Sequence, residues 1–283
     1  MRINEVDENS EYSELARIVL KTAEKPPISV DSLTFTDFVY LGAVLRAGIG
    51  NNSSFIIPYY TWGQPLTYCY ETDIGILKYL HSKNILTVSV NSDITSIVNI
   101  DAENANFIYY VNQVIYDINI CTNKNETKNE FIQRLLEPTF IKTTDSQVIE
   151  LWKQIAYTEC IQLLDFQMSK YNLPYKVGTD TEAFFKSILS DFSLATIYSF
   201  IYQSAKSAAA YYQENHVSKH QAANSILSRM RTTAGRVKDG SYATWEYTRP
   251  KECPQLILSE YFFNSILNLL DRYWLMTPQN PFF

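Results

Sequence analysis

From Lys128 to the end of the chain, apolar residues recur at intervals of three and four with few interruptions. That is the surface period of an α-helix, and each stripe it creates must be covered by another element. This half of the chain is therefore restricted to packed helices. Phe131, Leu135 and Leu136 predict a short helix that ends before Pro138. A long one is expected from Asp145, its N-cap, to about Tyr171, with Val148, Leu151, Ile155, Ile161, Leu164 and Met168 turned inward and Pro174 as its limit. Thr181 to Leu189 predicts a third. A single final helix from about Ser259 to Trp274 is expected as the central strut. Its Leu256, Ile257, Phe262, Ile266, Leu269 and Leu270 are too apolar to face solvent all round.

Between them lies the stretch that points to a surface. Ser193 is placed to cap a helix running to Glu214, with Ile197, Ile201, Ala205, Ala208 and Tyr212 on one face. Ala208-Ala209-Ala210 has little bulk and predicts a close helix contact. Asn215 and His216 read as a break and Ser218 as a second N-cap. The next helix carries Ala222, Ala223, Ile226, Leu227 and Met230, with Gly235 as its expected stop. Two helices joined so tightly make a helix-turn-helix-like corner. From Phe200 to Lys251 this corner has eight cations (Lys206, Lys219, Arg229, Arg231, Arg236, Lys238, Arg249 and Lys251) against three acids, in a chain of net charge -6. Such segregation is the footprint of a surface that meets an anion. These eight, with His220 in the first turn after Ser218, are the candidate nucleic-acid-binding residues. Tyr211, Tyr212, Tyr242 and Trp245 are candidates for stacking on unpaired bases. The bland alternative is that the cations line ordinary solvated helix faces.

The first part of the chain mixes patterns. Helices are expected over Glu11–Glu24, Phe35–Arg46 and Glu71–Ser82, the second entered through Thr34 and closed by Gly48 and Gly50. Phe55-Ile56-Ile57 and Ile85–Val90 read as strands, being short and β-branched. The order of helix and strand in ILKYLHSKNILTVSV resembles the end of a winged helix, in which the third helix leads directly into a strand that opens a β-hairpin wing. The resemblance spans at most residues 31–120, and the β-prone run Asn106–Cys121 would supply the wing or a further strand. The resemblance implies a recognition helix, but this one carries Lys78, His81 and Lys83 beside Glu71 and Asp73, with no Arg. Base edges are usually read by Arg, Asn or Gln, so a protein-contact role fits it better. The polar run Thr122–Lys128 marks the expected domain join. The chain is then mainly α with a minor β component: a winged-helix-like domain over residues 1–121 and a helical bundle over 122–283.

Chemistry is sparse. No phosphate-binding glycine loop, nucleophile elbow or zinc-protease motif is present. His216 and His220 stand four apart but across the predicted break, so no metal site is expected. Cys69, Cys121, Cys160 and Cys253 lack metal-type spacing and read as free thiols. No catalytic residue and no cofactor is expected from the motifs; an enzyme of unfamiliar type, its site assembled from distant residues, is a third reading beside the two binding ones. A hydrophobic share of 46% with 19% charged residues predicts an ordered fold, while 21 tyrosines suit half-buried surfaces and interfaces. No positive, apolar leader and no membrane-length run is seen, so a cytoplasmic protein is expected. The Asn, Ile and Lys content points to a bacterial or phage system. The reading is a nucleic-acid-associated protein that contacts phosphates through the basic corner. The alternative is a helical protein-interaction subunit of a multi-protein complex, with a protein partner or a second copy of the chain.

Overall fold

The computed structural model describes residues 13–21, 25–50, 55–101, 106–124, 126–138 and 145–278, the side chains of Asn106 and Asp145 excepted. Along the chain these form α1 (13–21), β1 (Ile28–Ser29), α2 (Phe35–Gly48), β2 (Phe55–Ile56), α3 (Tyr70–Ser82), β3 (Leu86–Val88), β4 (Ile97–Asp101), β5 (Asn106–Tyr109), β6 (Tyr116–Ile118) and β7 (Ile120–Cys121). There follow α4 (Lys128–Leu136), α5 (Asp145–Lys170), α6 (Thr179–Ile188), α7 (Leu194–Glu214), α8 (Lys219–Asn224), α9 (Ile226–Lys238) and α10 (Ile257–Ser259). The protein is mainly helical with a few small sheets. It divides into two compact units, residues 1–66 with 70–141 and residues 67–69 with 142–283.

In the first unit α2 is the core helix. Val39, Leu41, Ala43, Val44 and Leu45 are fully buried. Thr34 caps it as expected: its hydroxyl accepts from the Asp37 amide while the Asp37 carboxylate accepts from the Thr34 amide at 2.8 Å. Its exit needs glycine at 48, because a Cβ there would sit 2.2 Å from the Trp62 ring nitrogen. α4 packs on α2 through Phe38 and Phe131, edge to face at 6.1 Å, and Arg46 donates to the Leu136 carbonyl. Thr127 and Glu130 cap α4 reciprocally, and the Lys128 ammonium donates to the Ile118 carbonyl. The run Thr122–Lys128, read as the join, and the helix after it thus lie inside the first unit; residue 125 lies outside the described residues. The Asp145 cap and the ends of the Glu11–Glu24 helix also lie outside them.

A winged helix is not confirmed. The helix-to-strand step from α3 to β3 is present, but β3 does not open a hairpin. Its antiparallel partner is β6, in a sheet ordered β2-β6-β3, and β4 and β5 form a separate two-stranded hairpin between them. β1 pairs in parallel with β7. Pairing is a long-range choice, and the run Asn106–Cys121 divides into three strands that join three different sheets.

The second unit is built on α5 and α7, which pack along one another. Trp152, Ile155, Leu163 and Leu164 of α5 and Ile197, Phe200 and Ile201 of α7 are buried. α5 ends where Asn172 adopts φ 52°, two residues before Pro174. Tyr68 of the short 67–69 segment donates to Asp165 of α5. The expected final helix is not continuous. It begins as α10, widens into a π-helix over Glu260–Ile266, and ends as a tight 3-10 turn over Leu270–Leu275. Asn268 (φ 51°) and Leu270 (φ 49°) break it, being left-handed where an α-helix cannot continue. Among the described residues no helix is long and apolar enough to cross a membrane.

Candidate anion-binding cleft

The corner forms as its local chemistry requires. The Thr196 amide donates to the Ser193 hydroxyl at the start of α7. His216 takes φ 53° and turns the chain, and Ser218 and Gln221 cap α8 reciprocally. Beyond that the reading needs correction. The second helix is two helices, α8 and α9, divided at Ser225. Gly235 does not stop α9, which runs on to Lys238; the left-handed residue that ends it is Gly240, at φ 77°. Gly235 has no close neighbour and stays helical.

Ile226, Met230 and Ala234 recur at every fourth position of α9 and are buried. Arg229, Thr233 and Arg236 lie beside that seam, and with Thr232 they form one wall of a cleft of about 390 Å³. The opposite wall is α7, through Gln203, Ser204 and Ser207, again one helical turn. The small Ala205 and Ala208, both fully buried, flank these positions on α7, so only the first residue of the alanine triplet is fully buried. Tyr242 closes one end. Its hydroxyl donates to Gln203 Oε1 at 2.9 Å, and Gln203 Nε2 donates to Ser199 Oγ at 2.9 Å, which is paired with Thr244.

The hydrogen bonds show what the cleft has to offer. Ser228, Thr232 and Thr233 each donate the hydroxyl proton to a helical carbonyl, at 2.9, 2.9 and 3.0 Å. Ser204 does not: its oxygen is buried and has no partner among the described residues, and the residue is 2% exposed. Arg229 uses Nε on Ser225 Oγ, and among the described residues its two terminal nitrogens are unengaged. It lies over the Tyr211 ring at 5.4 Å, and Arg236 lies over Tyr242 at 5.1 Å, so two aromatic rings hold the two guanidiniums. Among the described residues neither arginine has a carboxylate within ion-pair distance. Asp239 is the nearby acid. Hydrogen bonds from Ser241 hold its pKa below the ordinary carboxylate value, with a smaller contribution from Arg236. A neutral polar lining with two unpaired guanidiniums favours a ligand with negatively charged oxygens.

The other cations of the corner have different positions. Arg231 points away from the cleft, 3.5 Å from the Asp180 carbonyl, and Lys238 pairs with Asp191. Lys206, Lys251 and His220 are exposed and Lys219 is half-buried; none of them lines the cleft. Of the four aromatic candidates Tyr211 and Tyr242 stack on the cleft arginines, while Tyr212 and Trp245 are exposed at 37% and 77%.

Arg249 is the largest departure. It is not on a surface patch but in a buried polar cluster. Its Nε donates to the Cys253 carbonyl, one terminal nitrogen to Glu159 Oε1 and the Tyr273 hydroxyl, and the other to Glu159 Oε1 and Gln162 Oε1. All five guanidinium protons are thus engaged. Burial opposes the charge of Arg249, but the Glu159 carboxylate and the Tyr273 hydroxyl outweigh it and hold the pKa above its ordinary value. Burial, then Glu159, push the Tyr273 phenol up, and burial pushes the Cys253 thiol up to about 11.

Ser204, Ser207, Thr232 and Thr233 escaped the sequence reading because hydroxyls carry no charge signal. The stripe of Thr232, Thr233 and Arg236 at helical spacing from Arg229 was available; the α7 wall was not. Among the described residues no group of three or more His, Cys, Asp and Glu is placed to hold a metal ion. No family model matches this chain, and neither does any curated protein or solved structure.

Proposed function

We propose that the helical unit is a non-catalytic nucleic-acid-binding module that takes phosphate groups into the cleft between α7 and α9. The observation that carries this reading is the convergence of Arg229 and Arg236, both held by aromatic rings and neither ion-paired, on one hydroxyl-lined cleft. Charge supports it. The second unit has fourteen Lys and Arg against thirteen Asp and Glu, whereas the rest of the chain has ten against seventeen, so a polyanion is repelled from one unit and not from the other. Contacts to phosphate release condensed counterions and are tolerant of sequence.

The test is fluorescence anisotropy with single- and double-stranded oligonucleotides at several salt concentrations. Replacing Arg229 and Arg236 by Ala should weaken binding to every sequence alike and flatten the slope of log K against log salt by about one unit per lost contact. Arg231→Ala, outside the cleft, is the control and should change little. Absence of binding by the wild-type chain at low salt would remove this reading. The protein-interaction alternative would then stand, supported by the β4–β5 hairpin, around which Val98, Ile108 and Tyr110 are 49%, 60% and 50% exposed.

A further inference from the structure

A second cavity in the helical unit, about 530 Å³, opens beside the Arg249 cluster. Its walls are Tyr247, Tyr273, Trp274 and Leu275. They come from the segment after Gly240 and from the tight turn that follows Leu270, whose φ of 49° is a conformation that branched side chains rarely take. Such strain collects at binding sites, where the surrounding fold holds it.

Apart from the neutral Thr248 and the tyrosine hydroxyls, the polar side chains of the lining are Arg249, Gln255, Glu246 and Asp271. Arg249 lines it, but its five protons are all engaged within the protein and its guanidinium lies over the Trp274 ring at 5.2 Å. It has nothing left to give an anion. Gln255 donates to Ser259 and accepts from Asn264. The charged lining groups left are two carboxylates, Glu246 and Asp271. Both are exposed, and neither has a hydrogen-bond or ion-pair partner among the described residues. Behind the walls the charge of Glu159 is balanced by Arg249, so the net negative charge of the lining comes from Glu246 and Asp271.

We infer that this cavity binds an organic cation, an ammonium group carried on a flat or hydrocarbon body. Aromatic rings attract a cation through their negative faces; Trp274 already carries Arg249, so Tyr247 is the ring left for the ammonium. The apolar body replaces water against Tyr247, Trp274 and Leu275, and the ammonium is drawn to Glu246 and Asp271. The volume is in the range of pockets that hold small molecules. The site is separate from the arginine cleft and of opposite preference.

Calorimetric titration of the full chain with three probes of one shape tests it: phenethylammonium, 2-phenylethanol and 3-phenylpropionate, at equal ionic strength. The ammonium should bind roughly tenfold tighter than the alcohol, and the carboxylate more weakly still. The double variant Glu246→Gln, Asp271→Asn should erase the difference between ammonium and alcohol while leaving the walls and the exposed backbone around them unchanged. Equal binding of ammonium and alcohol to the wild type would overturn the inference. So would an ammonium affinity that the double variant does not change, or no ammonium binding at all.

Discussion

Arg229 and Arg236 in the cleft and Arg249 in the cluster are the same side chain in two situations within one unit. Arg249 has a buried carboxylate 2.9 Å away, and every proton has an acceptor. Arg229 and Arg236 have tyrosine rings beneath them and, among the described residues, no carboxylate within ion-pair distance. The difference teaches what a cation count cannot. A guanidinium is available to a ligand only when the fold has not already satisfied it. Arg249 holds the 249–255 segment to α5; Arg229 and Arg236 remain open to solvent and to an anion.

The largest expected effect would break this contrast directly. Arg249→Ala leaves the Glu159 carboxylate, 4% exposed, without its counter-charge and should cost about 3–5 kcal/mol in chemical denaturation. Arg229→Ala and Arg236→Ala should each stay within about 0.5 kcal/mol of wild type. If all three variants lose similar stability, the division into structural and available arginines is wrong.

Next in size is the packing that brings α7 to the cleft. Ala208→Leu should overpack a fully buried position and cost about 1–3 kcal/mol of thermal stability. Ala209→Leu, half-buried, should cost less. Equal melting shifts for the two would show that the helices are not in close contact at Ala208. With α7 pushed outward, the cleft should also lose anion affinity while the Arg249 cluster is retained.

The smallest effect concerns pH and lies outside both arginine sites. His81 of the first unit is half-buried against Tyr109 and Tyr116, with Nδ1 3.0 Å from the Leu86 carbonyl oxygen. Burial lowers its pKa below the ordinary histidine value, more than the Leu86 hydrogen bond raises it, and Lys25 adds to the lowering. The unfolded chain then binds the proton more readily than the folded one. This contribution to stability is present above about pH 6.5 and declines as pH falls from there through the folded pKa. Hydrogen exchange at pH 7.5 and 5.5 should show the first unit loosening while α7 and α9 stay protected. His81→Phe should reduce that pH dependence; a variant as acid-sensitive as the wild type would place the effect elsewhere.

The helices of the corner were readable because their signals are local. Ser193, Ser218 and Thr34 cap the turns that follow them, within three residues, and the apolar stripes repeat within one turn. The same locality misled at Gly235, where a glycine was taken as a stop although no left-handed residue was needed until Gly240. It misled again after Ser259, where apolar content predicted one helix and the backbone forms three kinds of turn. The winged-helix resemblance is not confirmed, for the opposite reason. The helix and strand exist, but a strand's identity lies in its partner, and β3 pairs with a strand that begins at Tyr116.

By itself the sequence determined the helical class of the second unit, the caps at Ser193 and Ser218 with the break at His216, and the basic bias of the corner. All of these depend on residues within about one helical turn of each other. Only the tertiary structure decided which cations remain available. Arg249 meets Glu159 across 90 residues of chain, Lys238 meets Asp191 across 47, and Ser204 faces the arginine stripe of α9 from another helix. A side chain's charge is a property of its residue type, but whether that charge is satisfied depends on what the fold brings within hydrogen-bond distance of it.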